Sequence, residues 1–137
     1  MDDPYDLNRF VEAQKDVLDR VLEELRRGRK QTHWMWFVFP QIEGLGFSFM
    51  ARKYALASLD EAAAYLAHPV LGPRLIACVE ALLDQPDTDA TRVMGRPDDL
   101  KLRSSLTLFA ELQPEPFTAA LDKFFGGEKD PATLARL

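Results

Sequence analysis

Two tryptophans, the only ones in the chain, stand two residues apart in Thr32-His33-Trp34-Met35-Trp36-Phe37-Val38-Phe39-Pro40-Gln41. An indole is a flat apolar platform for a base, another ring or a cation. A ligand pocket needs mostly apolar walls and a few placed polar groups. This segment offers both, with His33 opening the aromatic run and Gln41 closing it. Just upstream, Arg26, Arg27, Arg29 and Lys30 form a basic knot. Arg29 and Lys30 could meet an anion there, but cations also favour a helix C-terminus through its dipole. The aromatics have a second reading too, because such side chains bury large areas and dominate cores.

A second constellation is Gly95-Arg96-Pro97-Asp98-Asp99-Leu100-Lys101-Leu102-Arg103-Ser104-Ser105. On a helix, Lys101 shares a face with Ser104 and Ser105, three and four residues on. A cation with hydroxyls near a helix start suits an anion, since free N–H groups point outward there. The structural alternative is that Asp98 caps the helix, Lys101 is solvated and the serines allow close packing. His33 is the only credible general base by type, because histidine alone changes charge near neutral pH without perturbation. A Ser/His/Asp set could be drawn from Ser104, His33 and Asp98, but any chain this long permits one. His68, before Pro69 at a helix junction, suits a structural hydrogen bond. Cys78 lies in the apolar run Leu75-Ile76-Ala77-Cys78-Val79 and reads as core. With one cysteine and two histidines, a metal site is not expected, and no cofactor is implied.

Helical elements must carry these groups. Leu7, Phe10, Val17, Leu18, Val21, Leu22 and Leu25 recur at helical spacing, with Asp6 as expected N-cap and Gly28 as the closing residue. Gln14 interrupts the buried side of that stripe and must either tie down a neighbouring loop or line a cleft. The aromatic run could be a strand by its period. No second strand appears to pair with it, so a short helix ending before Pro40 is predicted. Gly44-Leu45-Gly46 is a turn, and Ser48 can cap a helix through Tyr54. Ser58 with Glu61 makes a capping box, and His68-Pro69 breaks the helix it opens. Further helices are predicted over 70–84, a short turn before Gly95, 98–112 and 117–125. A last turn has Asp130 as N-cap and Pro131 at its first position. The expected fold is all-α: one domain over 1–137, about seven helices and no significant sheet.

The chain has 137 residues, with 47% hydrophobic and 28% charged, an ordinary globular composition. A net charge of −5 disfavours broad nucleic-acid binding. The acidic start Met1-Asp2-Asp3-Pro4-Tyr5-Asp6 is unlike a signal peptide. The longest apolar run, over 34–40, is too short to span a bilayer. A cytoplasmic location without membrane association is therefore expected.

The segment His33 to Gln41 followed by Gly44-Leu45-Gly46 resembles the hallmark of an uncharacterised bacterial family, domain of unknown function 1810. Arg9-Phe10, Ala13-Gln14, Gly28-Arg29-Lys30, Tyr65-Leu66, His68-Pro69, Leu71-Gly72, Asp98, Lys101, Ser104-Ser105, Thr107-Leu108-Phe109-Ala110 and Asp130 match in register. The resemblance spans nearly the whole chain and implies a single all-helical domain. It implies no activity. Some members carry a calpastatin-like label, but calpastatins are disordered inhibitors and this chain is built to fold. A looser likeness joins Gly95-Arg96, Asp98 and Lys101 to helical proteins that act on ADP-ribose-linked nucleotides; it nominates a ligand class and identifies no family.

Two functional readings follow. In the first, a cleft beside the aromatic segment binds a small nucleotide-like or otherwise anionic ligand, with or without catalysis. Trp34 or Trp36 would stack, Gln41 and Ser104 would orient, Arg29, Lys30 and Lys101 would meet charge, and His33 would be the acid or base. In the second, the segment is only core and the protein is a non-catalytic interaction module. Convergence of His33, Gln41, Lys101 and Ser104 on one cleft would favour the first.

Overall fold

The N-terminal stripe of apolar residues folds as α1 (Asn8–Lys15) and α2 (Leu18–Arg27), not as one helix. The Val17 N–H donates to the Gln14 carbonyl, 3.1 Å away, in the tight turn between them. A stripe of apolar positions carries no information about such a local break, and Asp16 beside it is a poor helix former. Asp6 is not the cap. It takes a positive φ of 51°, and the Asp3 carboxylate accepts the Leu7 and Asn8 N–H groups instead. Gly28 closes α2 in the left-handed region as expected.

Eight more helices follow: α3 (Met35–Val38), α4 (Phe49–Lys53), α5 (Leu59–Ala67), α6 (Leu71–Asp84), α7 (Ala90–Met94), α8 (Asp98–Ala110), α9 (Phe117–Phe125) and α10 (Pro131–Leu134). This computed structural model describes residues 2–137. Those residues hold ten helices, not about seven. The count rises because the first helix is split in two and because the short pieces expected before Pro40, after Ser48, before Gly95 and after Asp130 each form a helix of their own, α3, α4, α7 and α10. The fold is all-α. Among the described residues there is no strand, only one isolated bridge between Ile42 and Leu56. That bridge anchors the loop that becomes one wall of the cleft.

Local chemistry sets most boundaries. Ser48, Ser58, Asp89 and Asp130 each accept an N–H from the first turn of the helix they open. The Glu61 carboxylate reaches back to the Ala57 N–H and also binds Arg9. His68 is structural: its Nδ1 accepts the Val70 and Leu71 N–H groups at the α5–α6 junction. Asp98 does not cap α8. Pro97 occupies that position, and Asp98 is the first helical residue.

One continuous core runs through the molecule from Phe10 to Phe124. Long α8 is central to it, with Leu102, Leu106, Leu108 and Phe109 fully buried. Phe10, Tyr65, Phe109 and Phe117 form an aromatic chain across α1, α5, α8 and α9. Gln14 ties this core down. It donates to the Phe37 carbonyl at 2.6 Å and to the Tyr65 hydroxyl at 3.0 Å, so it ties α1 to α3 and α5 rather than to a loop, and it lines no part of the cleft described below. Cys78 is buried, and burial pushes its thiol up to about 12, so it stays an inert thiol. Among the described residues, no single helix is long and apolar enough to cross a membrane.

Candidate functional site

Trp34 and Trp36 flank the start of α3 and point to different environments, because residues two apart on a helix diverge by about 200°. Trp34 is 1% exposed. Its indole N–H donates to Glu24 at 3.0 Å. Glu24 also accepts the Gln31 N–H, the Thr32 N–H and the Thr32 hydroxyl. Burial opposes the charge on Glu24, but these four donors outweigh it and hold the carboxyl below its ordinary value. Lys30 completes this sealed region. Its ammonium lies 4.9 Å from the Trp34 ring, donates to the Thr32 carbonyl at 2.7 Å and meets Asp98 at 2.8 Å.

Trp36 is only half-buried and faces the other way, toward Lys101, whose ammonium stands 5.5 Å from the ring. Lys101 borders a cleft of about 280 Å³ lined by Gln41, Leu45, Gly46, Pro97, Leu100, Ser104, Asp130 and Ala132. The walls are the loop after α3, the first turns of α8, and α10 with its cap. Gly44 shapes the loop. It has φ +99°, and the Arg136 guanidinium packs where a Cβ would stand, so only glycine suits the position.

The charges link the two regions. Asp98 lies between two ammonium groups, 2.8 Å from Lys30 and 3.9 Å from Lys101. The second distance is beyond hydrogen-bond reach. Lys30 is thus committed to its neighbours, while Lys101 keeps its donors free among the described residues. The side chains are 7% and 25% exposed respectively. The Gln41 side-chain amide is likewise without a protein partner among the described residues, while the Gln41 backbone carbonyl accepts the Leu56 N–H at 2.9 Å. Ser104 reaches Asp130 Oδ2 at 3.0 Å.

The family described as "Protein of unknown function (DUF1810)" matches residues 4–137. The chain belongs to this family. The crystal structure of the conserved hypothetical protein Rv1873 from Mycobacterium tuberculosis is similar throughout: 51% identical over 98% of each chain, with a TM-score of 0.96. No curated protein matches the chain. The DUF1810 hallmark, His33 to Gly46, therefore divides in this member. Trp34, Met35, Phe37, Val38 and Phe39 are built into the core, and Gln41, Leu45 and Gly46 line the cleft.

Of the residues singled out from sequence, Gln41, Lys101 and Ser104 line one cleft, with Trp36 behind Lys101. His33 does not join them. It sits exposed in the turn before α3, makes no side-chain hydrogen bond among the described residues and lines no part of this cleft. Arg29 is turned away, bound to Asp87 at 3.2 Å and to the Gly28 carbonyl. Lys30 and Trp34 are in the sealed region. The backbone at the start of α8 is also not an open anion site. The Asp99 N–H donates to the Gly95 carbonyl, and the Leu100 and Lys101 N–H groups donate to the Pro97 carbonyl. Sequence reasoning missed Asp130 as a cleft residue, because its capping role accounted for it fully. Pro97, Leu45 and Ala132 carried no chemical signal at all.

Proposed function

We propose that this DUF1810 protein binds a small anionic, nucleotide-like ligand in the cleft between the 41–46 loop, α8 and α10. One observation carries the reading: Lys101 is a cation with free donors, backed by Trp36 and set beside apolar walls. Two ammonium groups share the single Asp98 carboxylate, so Lys101 is not fully neutralised by its neighbour and stands in the cleft opposite the Asp130 carboxylate. Lys101 would take the anionic group, and Gln41 would bond an adjacent polar group. Leu45, Pro97 and Leu100 would cover an apolar or flat part. At about 280 Å³ the cleft is at the small end for ligand pockets, which suits a mononucleotide-sized molecule or one end of a larger one.

Chemistry at this cleft does not involve His33. Of the side chains that line it, Lys101 and Asp130 are the charged ones, so any catalysis would rest on them. The alternative, a non-catalytic interaction module, draws on a different observation: Phe47 and Phe49 are 76% and 77% exposed beside the cleft-lining Leu45 and Gly46. A thermal-shift screen with nucleotides and phosphorylated metabolites separates the two. The ligand reading expects a hit whose affinity falls at least tenfold in Lys101→Ala, with the melting temperature of the free protein unchanged. No hit, or a hit indifferent to Lys101→Ala, refutes it.

A further inference from the structure

We infer that Asp130 is a second binding residue of the same cleft, one that selects ligands carrying hydroxyl donors next to the anionic group. The proposal rests on the anion-site reading above and adds the chemical class: a polyhydroxylated phosphate ester, such as a sugar phosphate or the sugar-phosphate end of a nucleotide.

The two oxygens of Asp130 are used unequally. Oδ2 accepts the Ser104 hydroxyl at 3.0 Å, the Thr133 hydroxyl at 2.6 Å and the Thr133 N–H at 3.2 Å. Oδ1 accepts nothing among the described residues. A carboxylate has about four acceptor sites, so capping and the contact to α8 leave one whole oxygen over. Asp130 lines the cleft that Lys101 also lines. An N-cap needs only the Thr133 N–H, and serine or asparagine would supply that equally well.

The carboxylate is also held still. Arg103 donates to the Glu128 carbonyl at 2.9 Å and to the Lys129 carbonyl at 2.8 Å. The Asp130 N–H donates to the Thr107 hydroxyl at 2.9 Å. Three α8 residues, Arg103, Ser104 and Thr107, thus strap the segment 128–130 in place. Burial opposes ionisation of Asp130, but hydrogen bonds from Thr133 and Ser104 outweigh it and keep the carboxyl below its ordinary value. Near neutral pH it is therefore a charged pure acceptor. It repels a bare anion and accepts from a hydroxyl. Lys101 and Asp130 together favour a ligand bearing both an anion and hydroxyl donors, and preorganisation keeps the cost of ordering low.

The test uses the full chain, calorimetry and three probes: methyl phosphate, ribose 5-phosphate and AMP. The wild type should bind ribose 5-phosphate at least tenfold more tightly than methyl phosphate. AMP tighter still would mark a nucleotide site; AMP equal to or weaker than ribose 5-phosphate would mark a sugar-phosphate site. Asp130→Asn keeps a capping oxygen but turns an amide donor toward the cleft. It should abolish the preference for ribose 5-phosphate while methyl phosphate binds at least as well as before. Asp130→Ser, which keeps one capping oxygen and removes the second, unused one, serves if the first variant does not fold, and the same result is expected. Lys101→Ala should weaken both esters by a similar factor. If Lys101→Ala weakens both esters but Asp130→Asn and Asp130→Ser retain the hydroxyl preference, the role of Asp130 is overturned alone. If no ester binds, or binding is indifferent to Lys101→Ala, the anion site falls and this proposal with it.

Discussion

Two lysine–tryptophan pairs lie on either side of Asp98, and they differ in one respect. Lys30 and Trp34 are sealed: the indole N–H has Glu24, and the ammonium has Asp98 and the Thr32 carbonyl. Lys101 and Trp36 are half-open: that ammonium has only a distant Asp98 and the face of a ring. The residue types are the same and the carboxylate is shared, yet one pair has most of its bonding capacity used and the other has little of it used. Unused capacity beside a cleft separates a candidate site from a structural network, because a buried polar group left unpaired costs about 1–3 kcal/mol, whereas one facing a cleft is solvated until a ligand arrives.

The largest expected contrast is between the tryptophans themselves. Trp34→Ala should lower stability by about 3–5 kcal/mol, since it opens a cavity in the core and removes one of the four donors to Glu24. Trp36→Ala should cost about 1 kcal/mol, as expected for a half-buried ring. Urea unfolding of both variants measures the difference. Equal large losses would erase the distinction between the two regions.

Next is Glu24, which organises the sealed side. Glu24→Gln should cost about 2–3 kcal/mol at neutral pH, because four donors lose a charged acceptor. Its folded carboxyl lies below the ordinary value of 4.5. The stability this shift contributes is therefore present above about pH 4.5 and is lost as pH falls through the lower folded value. The gap between wild type and Glu24→Gln should be widest near neutrality and close on acidification. Unfolding curves taken from pH 7 down to pH 3 would show it, and a gap that does not change with pH would contradict the ionised clamp.

The smallest effect compares the lysines. Lys30→Met should destabilise by about 1–3 kcal/mol, because it removes the close partner of Asp98 and a bond to the Thr32 carbonyl. Lys101→Met should stay within about 0.5 kcal/mol of wild type. Thermal melts of both would sharpen the comparison. A reversed order would mean that Lys101, not Lys30, is the structural cation.

Much of the architecture was legible from local chemistry. Ser48, Ser58 and Asp130 are caps whose side chains bond the turn directly after them, and Gly28 and Gly44 occupy positive-φ positions. His68-Pro69 and Pro40 mark breaks that neighbouring residues alone decide. The unequal tryptophans followed from helical geometry. The break between α1 and α2 and the true partner of the first N–H groups at Asp3 were not legible, because each depends on one or two hydrogen bonds rather than on a repeating pattern.

The candidate site divides in the same way. Residue type and spacing nominated Gln41, Lys101 and Ser104, and on α8 the last two share a face through the helical repeat alone. Everything that crosses between elements was decided by tertiary structure. Lys30 and His33 are near neighbours of the aromatic run in sequence, but packing buried one under Asp98 and left the other in an exposed turn. Asp130 is distant in sequence and belongs to the cleft because Arg103, Ser104 and Thr107 strap its segment to α8. A chain encodes its caps and turns over a few residues, where sequence distance and spatial distance agree. A cleft is where they disagree, so its membership is known only once the helices have packed.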